Sequence, residues 1–182
     1  AKEHPSVSKE LFNLDIPVLG ICYGEQLMAR VLGGTVSAGA TREYGKEEVS
    51  ISKRTGIFKG LKPKETVWFS HGDVVTELPE GCVAMASTAN APIAAFADTK
   101  RKLYGVQFHP EVTHTTHGGT IISQFIFDIC KAKKDWNIKS VQEKILSSIK
   151  ETVGDKHVLI GISGGVDSLV AAALLYKALP EQ

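Results

Sequence analysis

Residues 16–34 read IPVLGICYGEQLMARVLGG, and they constrain the fold more than any other stretch of the chain. Ile16 to Ile21 is a short apolar run rich in β-branched residues, which reads as a buried strand. Leu27, Met28, Val31 and Leu32 then recur at helical spacing from Glu25 to Leu32, and Gly33-Gly34 supplies the helix stop. Only a tight turn fits between the two, so Cys22 sits where a strand runs into a helix, flanked by Gly20 and Gly24. A strand that feeds directly into a helix belongs to the α/β class.

The same reading extends along the chain. EEVSISK (47–53) alternates like a half-buried strand. Further strands are expected at TVWF (66–69), CVAMAS (82–87), PIAAFAD (92–98) and LYGVQFH (103–109), with SHGD, LPEGC and TANAP as the polar connections. A helix at about 119–132 carries the apolar stripe Ile121, Ile122, Phe125, Ile126 and Ile129. The charged segment KAKKDWN (131–137) reads as a boundary. Beyond it, Ile138, Val141, Ile145, Leu146, Ile149 and Val153 share a helical face. HVLIGI (157–162) then reads as a strand, SGGVDS as a tight loop and LVAAALLYKAL as a helix. A single strand and helix make no independent core, so this end reads as the opening of a second α/β domain.

Composition narrows the function classes. A net charge of +1 gives no electrostatic case for nucleic acid or a membrane surface. Three cysteines, Cys22, Cys82 and Cys130, are too few and too odd for a disulfide framework, which points to a reducing compartment. The opening AKEHPSVSKELF has no signal-peptide core, and no apolar run approaches the roughly 20 residues of a membrane span. A cytoplasmic protein is expected.

A nucleophile between strand and helix is pushed up from the sheet, and the helix N-terminus favours its thiolate. A small core thiol would fit the position of Cys22 equally well, because free cysteine is often buried. The pairing with a second stretch, YGVQFHPEVTH (104–114), favours chemistry. There His109 ends a strand, Pro110 breaks it, and Glu111 lies two residues on. In a Cys-His-acid set the histidine moves the proton while the carboxylate orients the ring. Taken singly, His109 also reads as a hydrogen-bonded strand-end residue and Glu111 as a surface charge. His109, His114 and His117 invite a metal reading, which the loop-like TTHGGT and the missing cysteine or carboxylate spacing argue against; no metal site is expected.

Gly20-Ile21-Cys22-Tyr23-Gly24-Glu25-Gln26 resembles the nucleophile motif of the class I, triad-type glutamine amidotransferases. His109-Pro110-Glu111 is similar to the family's second motif, and Trp68-Phe69-Ser70-His71-Gly72-Asp73 to the strand and loop of its glutamine pocket. Arg42-Glu43-Tyr44-Gly45 and His109 through Thr115 resemble the GMP synthetase branch most. The resemblance implies a flavodoxin-like open sheet with helices on both faces. It also implies glutamine hydrolysis through Cys22, His109 and Glu111, with the Tyr23 N–H in the oxyanion hole and Gln26, Ser70, His71 and Gly72 contacting glutamine.

Ser163-Gly164-Gly165-Val166-Asp167-Ser168 lacks the lysine of the common P-loop. It resembles the loop of the ATP pyrophosphatases, an adenine nucleotide α-hydrolase-like fold, and implies that these six residues bind ATP, with Mg²⁺ nearby. Domains are therefore expected at 1–134 (amidotransferase) and 135–182 (start of the pyrophosphatase domain). In the GMP synthetases ATP activates xanthosine monophosphate and ammonia displaces AMP. Small-molecule substrates, no nucleic acid or membrane partner, and a homodimer of the full-length protein follow from the resemblance. The family's upstream Gly-Gly-Pro-type loop is not in the chain, nor is the rest of the pyrophosphatase domain, so a fragment with weak glutaminase activity and no GMP synthesis is expected. Glu25 departs from the family's usual Met or His. A non-catalytic amidotransferase-like module, the glutaminase of another amidotransferase and a Cys-His peptidase of the same fold are the alternatives; the complete triad and the SGGVDS loop argue against them.

Overall fold

The computed structural model describes residues 5–135 and 137–182. Residues 1–4 of the polar opening and Trp136 of the charged boundary segment lie outside the described residues. The chain forms two compact units, Ala1–Ala132 and Lys133–Gln182.

The first unit is built on six strands and two helices among the described residues. In chain order these are β1 (Val18–Ile21), α1 (Tyr23–Val31), β2 (Thr35–Ile51), β3 (Lys64–Glu77), β4 (Val83–Ser87), β5 (Ala95–Asp98), β6 (Leu103–Val106) and α2 (Gly118–Ser123). Helix α2 runs on into a π-helical stretch, Gln124–Ile129. The sheet order is β1-β6-β5-β4-β2-β3. Among the described residues only β1 and β6 are parallel, with Ile21 opposite Val106; the other neighbours are antiparallel. Connection length explains the β5–β6 pair. A parallel return needs a dozen residues or more, usually a helix, and residues 99–102 between β5 and β6 allow only a turn.

Side chains of the short central strands alternate between two cores. Ala95, Ala97, Tyr104 and Val106 join Val49, Val67, Phe58, Phe69, Phe108 and Ile121 on one face, where Phe125 and Ile129 also pack. Phe96 and Leu103 join Phe12, Met28 and Ala29 on the other. Helix α1 therefore covers one face and α2 with its π-helical extension the other, so the sheet is an open α/β layer with helices on both sides. The apolar stripe read from Ile121, Phe125 and Ile129 is the inner face of that second cover.

Helix α1 begins at Tyr23, directly after Cys22, and stops where the double glycine predicts. Gly33 takes a positive φ of 98°, and the Gly34 N–H reaches the Ala29 carbonyl at 2.7 Å. One expectation fails on this unit. The polar run Ser70-His71-Gly72-Asp73 is not a turn but lies inside β3, paired with Tyr44, Glu43 and Ala38 of β2 across a register shift between Ala38 and Glu43. Backbone pairing with β2, and burial of His71 against Glu43, override the turn preference of these residue types.

The second unit holds α3 (Ile138–Val153) and α4 (Val166–Ala178), which pack on each other. Asn137 caps α3 by accepting the Ser140 N–H at 2.8 Å. The expected strand at 157–162 does not form. A strand exists only by pairing with another, and this unit offers two helices; the Val158 N–H goes instead to the Gln182 carbonyl at 2.9 Å.

Close packing of α1 on the sheet needs Gly20. A Cβ there would lie 2.6 Å from the Gly24 carbonyl oxygen and 2.8 Å from the Glu25 nitrogen, whereas a Cβ at Gly24 meets nothing within 4 Å. Gly20→Ala is expected to destabilise the protein by about 1–3 kcal/mol in urea unfolding, with Gly24→Ala within about 0.5 kcal/mol of the native chain.

Candidate active site

Cys22 stands at the exit of β1 as the N-cap of α1, with φ 53° and ψ −108°. A non-glycine residue in this region is strained by roughly 1–3 kcal/mol and persists only where its surroundings enforce it. They do so here: the Cys22 N–H donates to the Val106 carbonyl at 2.8 Å, extending the β1–β6 pairing one residue past the strand.

His109 lies three residues beyond the end of β6, the strand parallel to β1, so Cys22 and His109 leave the same edge of the same strand pair. Its ring is oriented by Glu111: the Nδ1–H donates to Oε1 at 2.6 Å. That leaves Nε2 for proton transfer. The loop is bound to β3 at several points. The His109 N–H donates to the Trp68 carbonyl at 2.9 Å. The buried Thr115 hydroxyl accepts the Trp68 N–H at 3.1 Å and donates to the His109 carbonyl at 2.6 Å. The Thr116 N–H donates to the Thr66 carbonyl at 3.1 Å, and His117 Nδ1 meets Glu65 at 2.6 Å. Gly118 closes the loop on itself, since a Cβ there would collide with the Pro110 carbonyl. His114 stacks near Trp68, with ring centres 4.6 Å apart. The three histidines of this segment thus take three different partners. Among the described residues no group of His, Cys, Asp or Glu is arranged to hold a metal ion.

The Cys22 thiol contacts the Ser70 carbonyl at 3.7 Å and the Gln107 side-chain amide at 3.7 Å. Gln107 is fully buried and accepts from Gln26 Nε2 at 2.9 Å; the same Gln26 nitrogen donates to the Asp73 carbonyl at 2.8 Å. Ser70 is exposed, while His71 turns inward, donating through Nδ1 to the Asp73 carbonyl at 3.1 Å with Nε2 3.0 Å from Glu43. Beside Gly72 and Asp73 opens a cleft of about 430 Å³, lined also by Ala38, Gly39, Arg42 and Tyr44. Burial pushes the Cys22 thiol up, and the Tyr23 backbone N–H pulls it down; Glu25 and Glu111 raise it, and the Gln107 amide lowers it. The net direction is up.

Sequence reasoning missed two residues around this site and the setting of a third. Gln107 touches the sulfur, and Thr115 ties the His109 loop to β3. The signal for Gln107 was present: it is the only amide in the otherwise apolar run from Leu103 to Phe108. The third is Glu25, whose departure from the family pattern is visible in the sequence but whose burial is not. Its carboxyl is fully buried over Gly105 and beside Phe96, with no hydrogen-bond partner on either oxygen. Burial lifts its pKa well above the ordinary 4.5. The same burial disfavours the charged form of Glu25, and in that form it raises the Cys22 thiol.

In the second unit, Gly164 has φ 84° and Gly165 caps α4 without a side-chain hydrogen bond. The Ser163 and Ser168 hydroxyls lie 3.1 Å apart, and Ser168 donates to the Gly165 carbonyl at 3.0 Å. Val166 and Asp167 open the helix.

A family model for class-I glutamine amidotransferases matches residues 1–129. The chain is 50% identical over 178 residues to a GMP synthase [glutamine-hydrolyzing] of Clostridium novyi, and 48% identical over 178 residues to that of Clostridium botulinum. Each match covers 98% of this chain and 35% of the relative, so the chain spans about a third of the length of these relatives. Among solved structures, that of a Thermoplasma acidophilum protein described as a GMP synthase subunit superposes with a TM-score of 0.65 at 35% identity. The match covers 74% of this chain and 65% of that one.

The orphaned Glu25 gives a stability test with a defined sign. An acid whose native pKa lies above its unfolded value weakens the fold as pH rises above the unfolded value, here about 4.5. Glu25→Met removes the buried polar group, so it is expected to stabilise the protein by about 1–3 kcal/mol at neutral pH. The gap should shrink toward pH 4.5, as read from urea midpoints across the pH range.

Proposed function

The chain belongs to the class-I glutamine amidotransferases, and on that premise we propose that it is the glutamine-hydrolysing part of a GMP synthetase, with Cys22 as its nucleophile. The observation that supports this most is the pairing of a strained strand-to-helix cysteine with His109, whose Nδ1 is held by Glu111 at 2.6 Å, at the end of the adjacent parallel strand.

The roles follow from the geometry. The Cys22 thiolate attacks the side-chain amide carbon of glutamine, and the carbonyl oxygen becomes an oxyanion that the Tyr23 N–H accommodates. His109 gives its Nε2 proton to the leaving nitrogen, the C–N bond breaks, and ammonia departs from a thioester. His109 then takes a proton from water as the water attacks that thioester; the C–S bond breaks with its electron pair on sulfur, releasing glutamate and restoring the thiolate with His109 protonated. Glu111 fixes the ring and balances its charge in the cationic state. The cleft beside Gly72 and Asp73 receives the amino-acid end of glutamine. Gln26, Ser70, His71 and Gly72 contact the bound glutamine in this reading.

Residues 1–134 form the amidotransferase domain in this reading, and 135–182 open an ATP pyrophosphatase domain. The α4 N-terminus fits a phosphate group: its first N–H groups have no side-chain cap, Gly164 holds a positive φ, and two hydroxyls converge. Ser163, Gly164, Gly165, Val166, Asp167 and Ser168 would hold the ATP phosphates, and Mg²⁺ as the ion of the full-length enzyme would supply charge neutralisation there. ATP supplies the activation of xanthosine monophosphate, which the ammonia then aminates. The whole enzyme would work in the cytoplasm as a homodimer on small-molecule substrates.

In the full-length enzyme, Cys22→Ala is expected to abolish glutamine-dependent GMP formation and to leave ammonia-dependent formation within about twofold of the parent. Loss of both activities would contradict the division of labour proposed.

A further inference from the structure

We infer that Gln107 is a further catalytic residue of this site: its side-chain amide is the hydrogen-bond donor that stabilises the Cys22 thiolate, and Gln26 holds it in the donating orientation. This rests on the reading of Cys22 as the nucleophile.

The orientation of both amides is set by one backbone group. The Asp73 carbonyl can only accept, so the Gln26 NH₂ must face it, at 2.8 Å. The second hydrogen of that NH₂ points to Gln107, 2.9 Å away, and requires the oxygen of the Gln107 amide on that side. The Gln107 NH₂ is thereby turned to Cys22 Sγ, at 3.7 Å. Gln107 is fully buried and Gln26 is 7% exposed, so water does not compete for these groups.

The sulfur has opposite preferences toward its neighbours in its two states. As a thiol it donates to the Ser70 carbonyl at 3.7 Å. As a thiolate it loses that bond and can only accept, and its donors are the Tyr23 N–H and the Gln107 amide. The ionisable groups bearing on it are Glu25 on its own helix and Glu111 on the His109 loop, both acidic; His109 itself is bound to Glu111. No lysine or arginine is among the described groups that bear on the sulfur. A neutral donor fixed by two buried amides therefore supplies stabilisation that a lysine or arginine provides elsewhere.

The test is the pH dependence of Cys22 alkylation by iodoacetamide in the full-length enzyme, with mass spectrometry separating Cys22 from Cys82 and Cys130. Gln107→Met keeps the side-chain volume and removes the donor. The expected result is a profile displaced to higher pH, with alkylation at pH 7 roughly three- to tenfold slower and the high-pH plateau unchanged. Gln26→Met leaves Gln107 in place but frees its orientation; it should displace the profile in the same direction by less. An unmoved midpoint in Gln107→Met, or in Gln26→Met if the first variant does not fold, overturns the inference. A lowered plateau with an unmoved midpoint does so too, as it marks a packing role. Glutaminase assays on the unsubstituted enzyme separate the two readings: absence of glutamine hydrolysis there counts against Cys22 as a glutaminase nucleophile, whereas an unmoved midpoint counts against Gln107.

Discussion

The parallel pair of β1 and β6 is the contact on which the site depends. It is continued by the bond from the Cys22 N–H to the Val106 carbonyl at 2.8 Å. This bond fixes the cysteine in its positive-φ conformation and starts α1 immediately afterwards. The same strand pair sends the chain on through Gln107 to His109, so Cys22, Gln107 and His109 all leave one edge. Gly20 and Gly105 serve this contact. At Gly105 a Cβ would lie 2.7 Å from Glu25 and 2.8 Å from Phe96, and at Gly20 it would meet the first turn of α1. Any side chain at either position would lift the helix from the sheet and relax the elbow.

The electrostatics around the thiol work against its ionisation unless donors are supplied. Burial and two acids raise its pKa, and the helix N-terminus and one amide lower it. Glu25 lies in the first turn of the helix that Cys22 caps, and its burial makes its ionisation harder. The loop carrying His109 is stiffened in a complementary way, through Thr115, Thr116 and His117, so that the imidazole is presented by a framework anchored to β3.

Much of this was legible in the residues. The strand-to-helix turn at Cys22, the stop at Gly33-Gly34 and the adjacency of His109 and Glu111 are local patterns, and local patterns survive translation into structure. Three features were not. Ser70 to Asp73 carry turn formers, yet pairing with β2 keeps them in a strand, because a partner strand decides what propensity alone leaves open. Glu25 reads as a departure from the family pattern and Gln26 as a glutamine contact, and neither reading shows burial; the close approach of α1 over Gly105 and Gly20 buries both. The apolar segment 157–162 has strand composition without a strand neighbour among the described residues of its unit, and composition cannot supply one.

That Cys22 is a glutamine-directed nucleophile is tested most directly by labelling the full-length enzyme with a glutamine-analogue chloroketone and locating the label by peptide mass spectrometry. The expected result is one label, on Cys22, slowed by added glutamine and absent in His109→Ala at neutral pH. Labelling spread over Cys82 and Cys130, or labelling of Cys22 that glutamine does not slow, would contradict it.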